Sequence, residues 1–172
     1  MIYFIRHGES QANVDDVFSG PDAQLTDNGR QQANNAGEEI KNNEIIIDRI
    51  ISSTYDRSID TAKIIAEIIG FDTDKIQYDH RLVEYNCGVL TDKPRSSATS
   101  QELTSAEGAE DPYLFQNRVM KSFIEIKNLS GNTLIISHAG VGSMINATKL
   151  GIEPSRFNEI PNYPNCELII LE

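Results

Sequence analysis

The sequence predicts an α/β fold, a single-domain three-layer α/β/α sandwich around a mostly parallel central sheet. Short apolar runs such as Ile2–Ile5 and Thr133–Ser137 alternate with segments of helical period through most of the chain. The first run is continuously apolar, the pattern of a strand buried on both faces of a parallel sheet. At 172 residues the chain can bury one substantial core, and nothing in its composition asks for a second domain.

Taken in order, Ile2–Ile5 is the first strand and Gln11–Gln24, polar and containing Gly, Pro and Asp, is a loop. Thr26 caps a helix whose Ala33, Ala36 and Ile40 face inward, and Arg49–Ser52 is a second short strand. Ile59, Ala62, Ile65 and Ile69 form one apolar stripe on the next helix, which Gly70 closes as a left-handed cap. Ile76–Tyr78 is a weak third strand. From Val83 to Glu110 the chain is polar and irregular, least structured at Ser96–Ser100, and residues 85–110 are expected to form a substrate-selecting loop. Asp111 and Pro112 open a helix in the favoured cap-then-proline order, with Phe115, Val119, Phe123 and Ile126 buried. Thr133–Ser137 is the next strand, followed by a helix ending near Leu150-Gly151 and a closing strand, Glu167–Leu171.

Composition narrows function. The chain is 39% hydrophobic and 24% charged, ordinary for a soluble globular protein, and no window approaches a membrane span. A net charge of -11 repels nucleic acid and anionic lipid, so neither is an expected partner, and any anionic substrate must be drawn by a local cluster of Arg and His. Cys87 and Cys166 are the only cysteines, too few for a disulfide framework, and no Cys-x-x-Cys pair is present. With no basic leader, a reduced cytoplasm is the expected location. Oligomeric state stays open.

Chemistry concentrates at strand ends. Arg6-His7-Gly8-Glu9-Ser10 follows the first strand directly, and ligands of open α/β sheets bind just beyond the carboxyl ends of strands. Gly8 permits a sharp turn and close approach, while Arg6 offers a planar charged fork suited to phosphate oxygens. The second strand runs through Ser52-Ser53 to Arg57 at the start of a helix, where free N–H groups already favour an anion, and the strand ending at Ser137 delivers His138 to the same edge. Taken singly, Arg57 reads as a solvated helix-start residue and His138 as a satisfied core histidine. Jointly they read as a phosphoryl site.

Arg6-His7-Gly8-Glu9 with Asn13, then Leu25-Thr26-Asp27-Asn28-Gly29 and Gln32-Ala33, then Ser52-Ser53 with Arg57 and Thr61-Ala62, then Ser137-His138, resemble the histidine phosphatase superfamily, in the branch containing cofactor-dependent phosphoglycerate mutase. The resemblance runs in order from Ile2 to about Gly142. It implies His7 as the nucleophile that becomes phosphorylated and His138 as a pocket residue stabilising the phosphoryl group. Arg6, Arg57 and Asn13 would bind its oxygens, with backbone N–H groups near Ser19-Gly20 and at Ala139 adding donors. Phosphoryl transfer spreads charge over three oxygens, so two arginines and a histidine fit it without a metal or cofactor, and no carboxylate cluster has metal-ligand spacing. A neutral His7 needs its second ring nitrogen held by an acceptor, expected to be a carbonyl near Gly8. Glu84, four residues before Gly88, resembles the family's acid-bearing segment and is the expected general acid; the alternative is a solvated loop glutamate. His80 is expected at the pocket rim, and Glu9 to orient neighbouring groups or stay on the surface.

Mutases of the family carry an aromatic residue before that glycine, a second glycine four positions on, and a paired-arginine stretch for the substrate carboxylate. This chain has Cys87, Gly88 and Asp92 there and no Arg-Arg pair in the loop, although Lys93 and Arg95 remain available to a second anionic group. The step His138-Ala139, where the family often has His-Gly, keeps the backbone N–H available. The expectation is a phosphatase that hydrolyses a small phosphorylated metabolite. Its rivals are a mutase and an inactive family member retained as a binding module.

Overall fold

The computed structural model describes residues 1–161 and 163–172. Five strands, β1 (Ile2–Arg6), β2 (Arg49–Ser52), β3 (Gln77–Tyr78), β4 (Thr133–Ser137) and β5 (Ile169–Ile170), form one sheet in the order β3-β2-β4-β1-β5. Neighbours are parallel except β5, which runs antiparallel to β1 at the edge. Alternation along each strand divides its side chains between two cores. Tyr3, Ile5, Ile50, Leu134 and Ile136 pack with Ala33, Ala36 and Ile40 of α2 (Asp27–Asn42) and with Ala62, Ile65 and Ala66 of α3 (Asp56–Ile69). Ile2, Phe4, Ile51 and Ile135 pack on the other face, with Phe115, Val119 and Phe123 of α5 (Pro112–Lys127) and Val141, Met144 and Ile145 of α6 (Ala139–Lys149). These are the three expected layers. Each large apolar side chain so buried contributes about 1.5–3 kcal/mol, which makes the sheet a rigid base for whatever its strand ends carry.

Most elements lie where periodicity places them. Thr26 caps α2 by accepting from the Gly29 N–H, Asp111 caps α5, and Gly70 closes α3 with φ 72°. Two expected loops contain helices instead. Inside Gln11–Gln24, α1 (Gln11–Val14) starts at Ser10, whose backbone N–H donates to Asn13 Oδ1 at 3.1 Å. Within the stretch expected to be least structured, Arg95–Ser97 makes a 3-10 turn, and α4 (Ser100–Ser105) begins from a reciprocal cap between Thr99 and Glu102. Both helices are stabilised by polar caps rather than by an apolar stripe, so hydrophobic periodicity is blind to them. The closing strand is shorter than Glu167–Leu171: its ladder pairs only Ile169 and Ile170 with Phe4 and Tyr3, although the Leu171 N–H still donates to the Ile2 carbonyl at 2.8 Å.

Candidate active site

Register places the two histidines together. Arg6 of β1 pairs with Ser137 of β4, so the next residues, His7 and His138, emerge side by side, and the His7 N–H donates to the Ser137 carbonyl at 2.9 Å. Their rings meet edge to face with centroids 5.1 Å apart. On the other flank of β4, Ser52 pairs with Ile136 and the chain turns through Ser53 into α3, which carries Arg57 inward on its first turn. His7 is 3% exposed, and His138 and Arg57 are wholly buried.

The ring of His7 has one possible tautomer here. Its Nδ1 lies 2.7 Å from the Gly8 carbonyl, which only accepts, while Arg57 Nε, which only donates, lies 3.1 Å from its Nε2. Nδ1 therefore carries the proton and Nε2 the lone pair, in the neutral ring. Burial, and next the charge of Arg57, hold the His7 pKa well below its ordinary value; burial and Arg57 do the same to His138. His138 Nε2 meets Ser53 Oγ at 2.8 Å and Ser58 Oγ at 3.4 Å.

Arg57 also donates from Nη1 to the carbonyls of Gly20 (2.8 Å) and Pro21 (3.3 Å), and Arg6 donates from Nη1 to the Tyr163 carbonyl at 2.9 Å. Among the described residues, three further buried nitrogens have no hydrogen-bond partner: Arg57 Nη2, Arg6 Nε and His138 Nδ1. Native proteins rarely leave such groups unpaired, and unpaired donors on two arginines and a histidine suit an anion. Burial pushes the pKa values of both arginines down, with Glu84 opposing it.

A cavity of about 430 Å³ opens over this cluster, and Arg6, His7, Asn13, Ser19, Glu84 and Ala139 all line it. Glu84 shares the cavity wall with His7, its carboxylate held at the start of α6: Oε2 accepts the Gly140 N–H at 3.2 Å and Oε1 the Tyr85 N–H at 3.0 Å. Asn13 Oδ1 is engaged by the Ser10 N–H and by Asn165 Nδ2 at 3.4 Å. Gly20 is not a lining residue; its carbonyl steadies Arg57. His80 lies away from the cavity, exposed beside Thr54 Oγ1, and so is not at the rim. Glu9 accepts from the cap residue Thr26 at 2.7 Å and so ties the His7 loop to α2. Gly8 serves that same junction: a Cβ on it would lie 2.3 Å from the Gly29 carbonyl oxygen, so the close approach it permits is to another backbone. Arg95 reaches the cavity wall, whereas Lys93 meets Phe18 through its carbonyl.

Sequence reasoning assigned no contacts to Ser53, Thr61, Tyr163 or Asn165. Thr61 Oγ1 accepts the Gly8 N–H at 3.1 Å, and Asn165 Nδ2 donates to the His7 carbonyl at 2.7 Å. Asn165 and Tyr163 lie more than 150 positions from their partners, and no local pattern announces them. Among the described residues no group of three or more His, Cys, Asp or Glu is arranged to hold a metal ion, and no helix is long and apolar enough to cross a membrane.

A lone-pair histidine in contact with a buried arginine, with a second arginine and a second histidine beside it at the carboxyl edge of a mostly parallel sheet, defines a class, and sequence comparison agrees with it. The family model "Histidine phosphatase superfamily (branch 1)" matches residues 2–172, and the chain belongs to this superfamily, which contains phosphatases and mutases. Among curated relatives, the probable phosphoglycerate mutase GpmB of Salmonella choleraesuis is 40% identical over 102 residues, covering 59% of this chain and 45% of that protein. The match thus spans a little under half of the relative's length. The solved structure of Bacillus stearothermophilus YhfR superposes with a TM-score of 0.83 at 24% identity, covering 97% of this chain and 88% of that one. Mycobacterial glucosyl-3-phosphoglycerate phosphatase superposes with a TM-score of 0.80 at 22% identity, covering 97% and 90%. At these identities the likeness is one of fold.

Proposed function

We propose that the protein is a phosphomonoesterase that hydrolyses a small phosphorylated metabolite through a phosphohistidine at His7. The observation that carries this reading is the forced tautomer of His7, which leaves Nε2 as the ring's lone-pair nitrogen facing Arg57, in a site where Arg6 and His138 also hold unpaired nitrogens. In the first step Nε2 attacks phosphorus, the bond to the ester oxygen breaks, and the Glu84 carboxyl gives that oxygen its proton. In the second step the Glu84 carboxylate takes a proton from water, which attacks phosphorus, and the N–P bond breaks to restore neutral His7. Through both steps Nδ1 keeps its proton and donates it to the Gly8 carbonyl, so the ring can carry the phosphoryl group at Nε2.

The transition state is loose and its charge lies on three equatorial oxygens, so positioning and fixed positive charge do most of the work. Arg57 Nη2, Arg6 Nε and His138 Nδ1 are the unpaired donors that would meet this charge, and Asn13, Ser19 and Ala139 line the cavity beside them. The arginines take the place of a divalent cation, and activity undiminished by EDTA is the expected result. The test is hydrolysis of a panel of phosphomonoesters by the parent and by His7→Gln: release of inorganic phosphate by the parent alone supports the reading, and equal release by both overturns it.

A mutase is the second reading, favoured by the relative named a probable phosphoglycerate mutase. Adding a bisphosphorylated primer with a monophosphoglycerate separates the two. Phosphate release supports the phosphatase, and efficient positional transfer with little release supports the mutase.

A further inference from the structure

We propose that Arg118 is the positioning residue for the general acid, an assignment that rests on the role given to Glu84 above. Arg118 lies on α5, outside the cavity lining, and its guanidinium sits 4.6 Å over the Phe115 ring. Nη1 donates to the carbonyls of Arg81 and Val83, both at 2.7 Å, and Nη2 to the carbonyl of Glu84 itself at 3.0 Å. The remaining donors go to one carboxylate, Nε to Glu110 Oε1 at 2.7 Å and Nη2 to Glu110 Oε2 at 2.9 Å. A guanidinium has five N–H donors, and these five contacts use them all.

The arrangement fixes Glu84 at both ends. Its carboxylate is held from the α6 side by the Gly140 N–H, and its backbone from the α5 side by Arg118. Ser137 Oγ adds a bond to the Leu82 carbonyl at 2.7 Å, which ties the same segment to the strand end beside His138. Carbonyls of residues 81, 83 and 84 converge on one planar group, and lysine, with three donors on a single atom, cannot match that fork.

Glu110 gives the clamp a second consequence, because it closes the far end of the 85–110 segment. The Tyr85 hydroxyl donates to the Glu110 carbonyl, and the Glu110 N–H donates to the Asn86 carbonyl at 2.9 Å. Both ends of the segment are therefore pinned at one point, and the residues between can vary to suit a substrate without moving the acid.

The test compares Arg118→Lys with Glu84→Gln on two esters, p-nitrophenyl phosphate, whose leaving group needs no proton, and glycerol 2-phosphate, whose alkoxide does. R118K is expected to lower kcat on glycerol 2-phosphate about 10–100-fold, with KM and the p-nitrophenyl phosphate rate within threefold of the parent, because a general acid serves only the poor leaving group. In the double variant R118K/E84Q the loss is expected to equal that of E84Q alone, since residues acting through one group are not additive. Glu110→Gln, which keeps the guanidinium in place, is expected to show the same selectivity at a third to a tenth of the parent rate and decides the matter if R118K does not fold.

Equal losses on both esters, or full additivity with E84Q, overturn the positioning role. A glutamine at position 84 that leaves the glycerol 2-phosphate rate intact overturns the acid assignment itself, and the inference with it.

Discussion

Gly140→Ala isolates the placement of Glu84 from everything else in the site. A Cβ at residue 140 would lie 2.3 Å from Glu84 Oε1, where ordinary van der Waals contact begins near 3.4 Å, so the carboxylate must retreat by about 1 Å. The atom it strikes is the far end of a flexible side chain, and alanine favours a helix over glycine by about 1 kcal/mol, so the fold is expected to tolerate the change. The chemistry is not: a misplacement of about 1 Å in a catalytic group costs roughly 10²-fold, equivalent to about 2.7 kcal/mol in the barrier. Hydrolysis of an alkyl phosphate is therefore expected to slow about 100-fold, with thermal unfolding within a few degrees of the parent. Steady-state kinetics beside a melting curve measure both. A variant within threefold of the parent rate, while Glu84→Gln loses two orders of magnitude, would refute the claim that this carboxylate must stand where Gly140 lets it.

Arg57→Lys keeps a charge but loses the fork that reaches His7, Gly20 and Pro21 together, and kcat is expected to fall about 10²–10³-fold, as when a preorganised transition-state donor is removed. His7 and His138 are held neutral in the folded chain by burial and then by Arg57, whereas in the unfolded chain they take protons near the ordinary value of 6.5. The unfolded state thus binds more protons below pH 6.5, so stability held above that pH is lost as pH falls, by up to about 1.4 kcal/mol per unit for each histidine. Urea midpoints between pH 7 and 5 are expected to drop more steeply for the parent than for His7→Gln. Gly29→Ala places a Cβ 2.0 Å from the Glu9 carbonyl oxygen, a backbone atom that cannot step aside, and is expected to cost about 3 kcal/mol or more, read as a lowered melting temperature.

What could be read from the sequence divides along physical lines. Apolar runs and helical stripes declare the sheet and its four long helices because burial acts through those residues, as Ile135 in β4 and Ile65 in α3 illustrate. The first turns α1 and α4 escaped because Ser10 with Asn13 and Thr99 with Glu102 stabilise them through hydrogen bonds, in stretches with too few apolar residues to show a period. His7, Arg57 and His138 were legible because a strand end is a place that a sequence marks. Glu84 was named only through the family resemblance and no strand end marks it: its placement follows from Arg118, Gly140 and Ser137, which come from three separate elements and meet only in the folded chain. Asn165 and Tyr163, which brace His7 and Arg6 from the other end of the chain, are of the same kind.

The proposed chemistry turns on a phosphohistidine at His7, and trapping that intermediate is the most direct test. Mixing the protein with an ester labelled in its phosphoryl group and quenching within one turnover is expected to leave an acid-labile phosphohistidine at His7, absent from His7→Gln. In a parallel sample diluted before quenching into buffer containing unlabelled monophosphoglycerate, the label is expected to pass to inorganic phosphate. Turnover with no adduct at His7, or a label that moves to the added phosphoglycerate in preference to water, would contradict it.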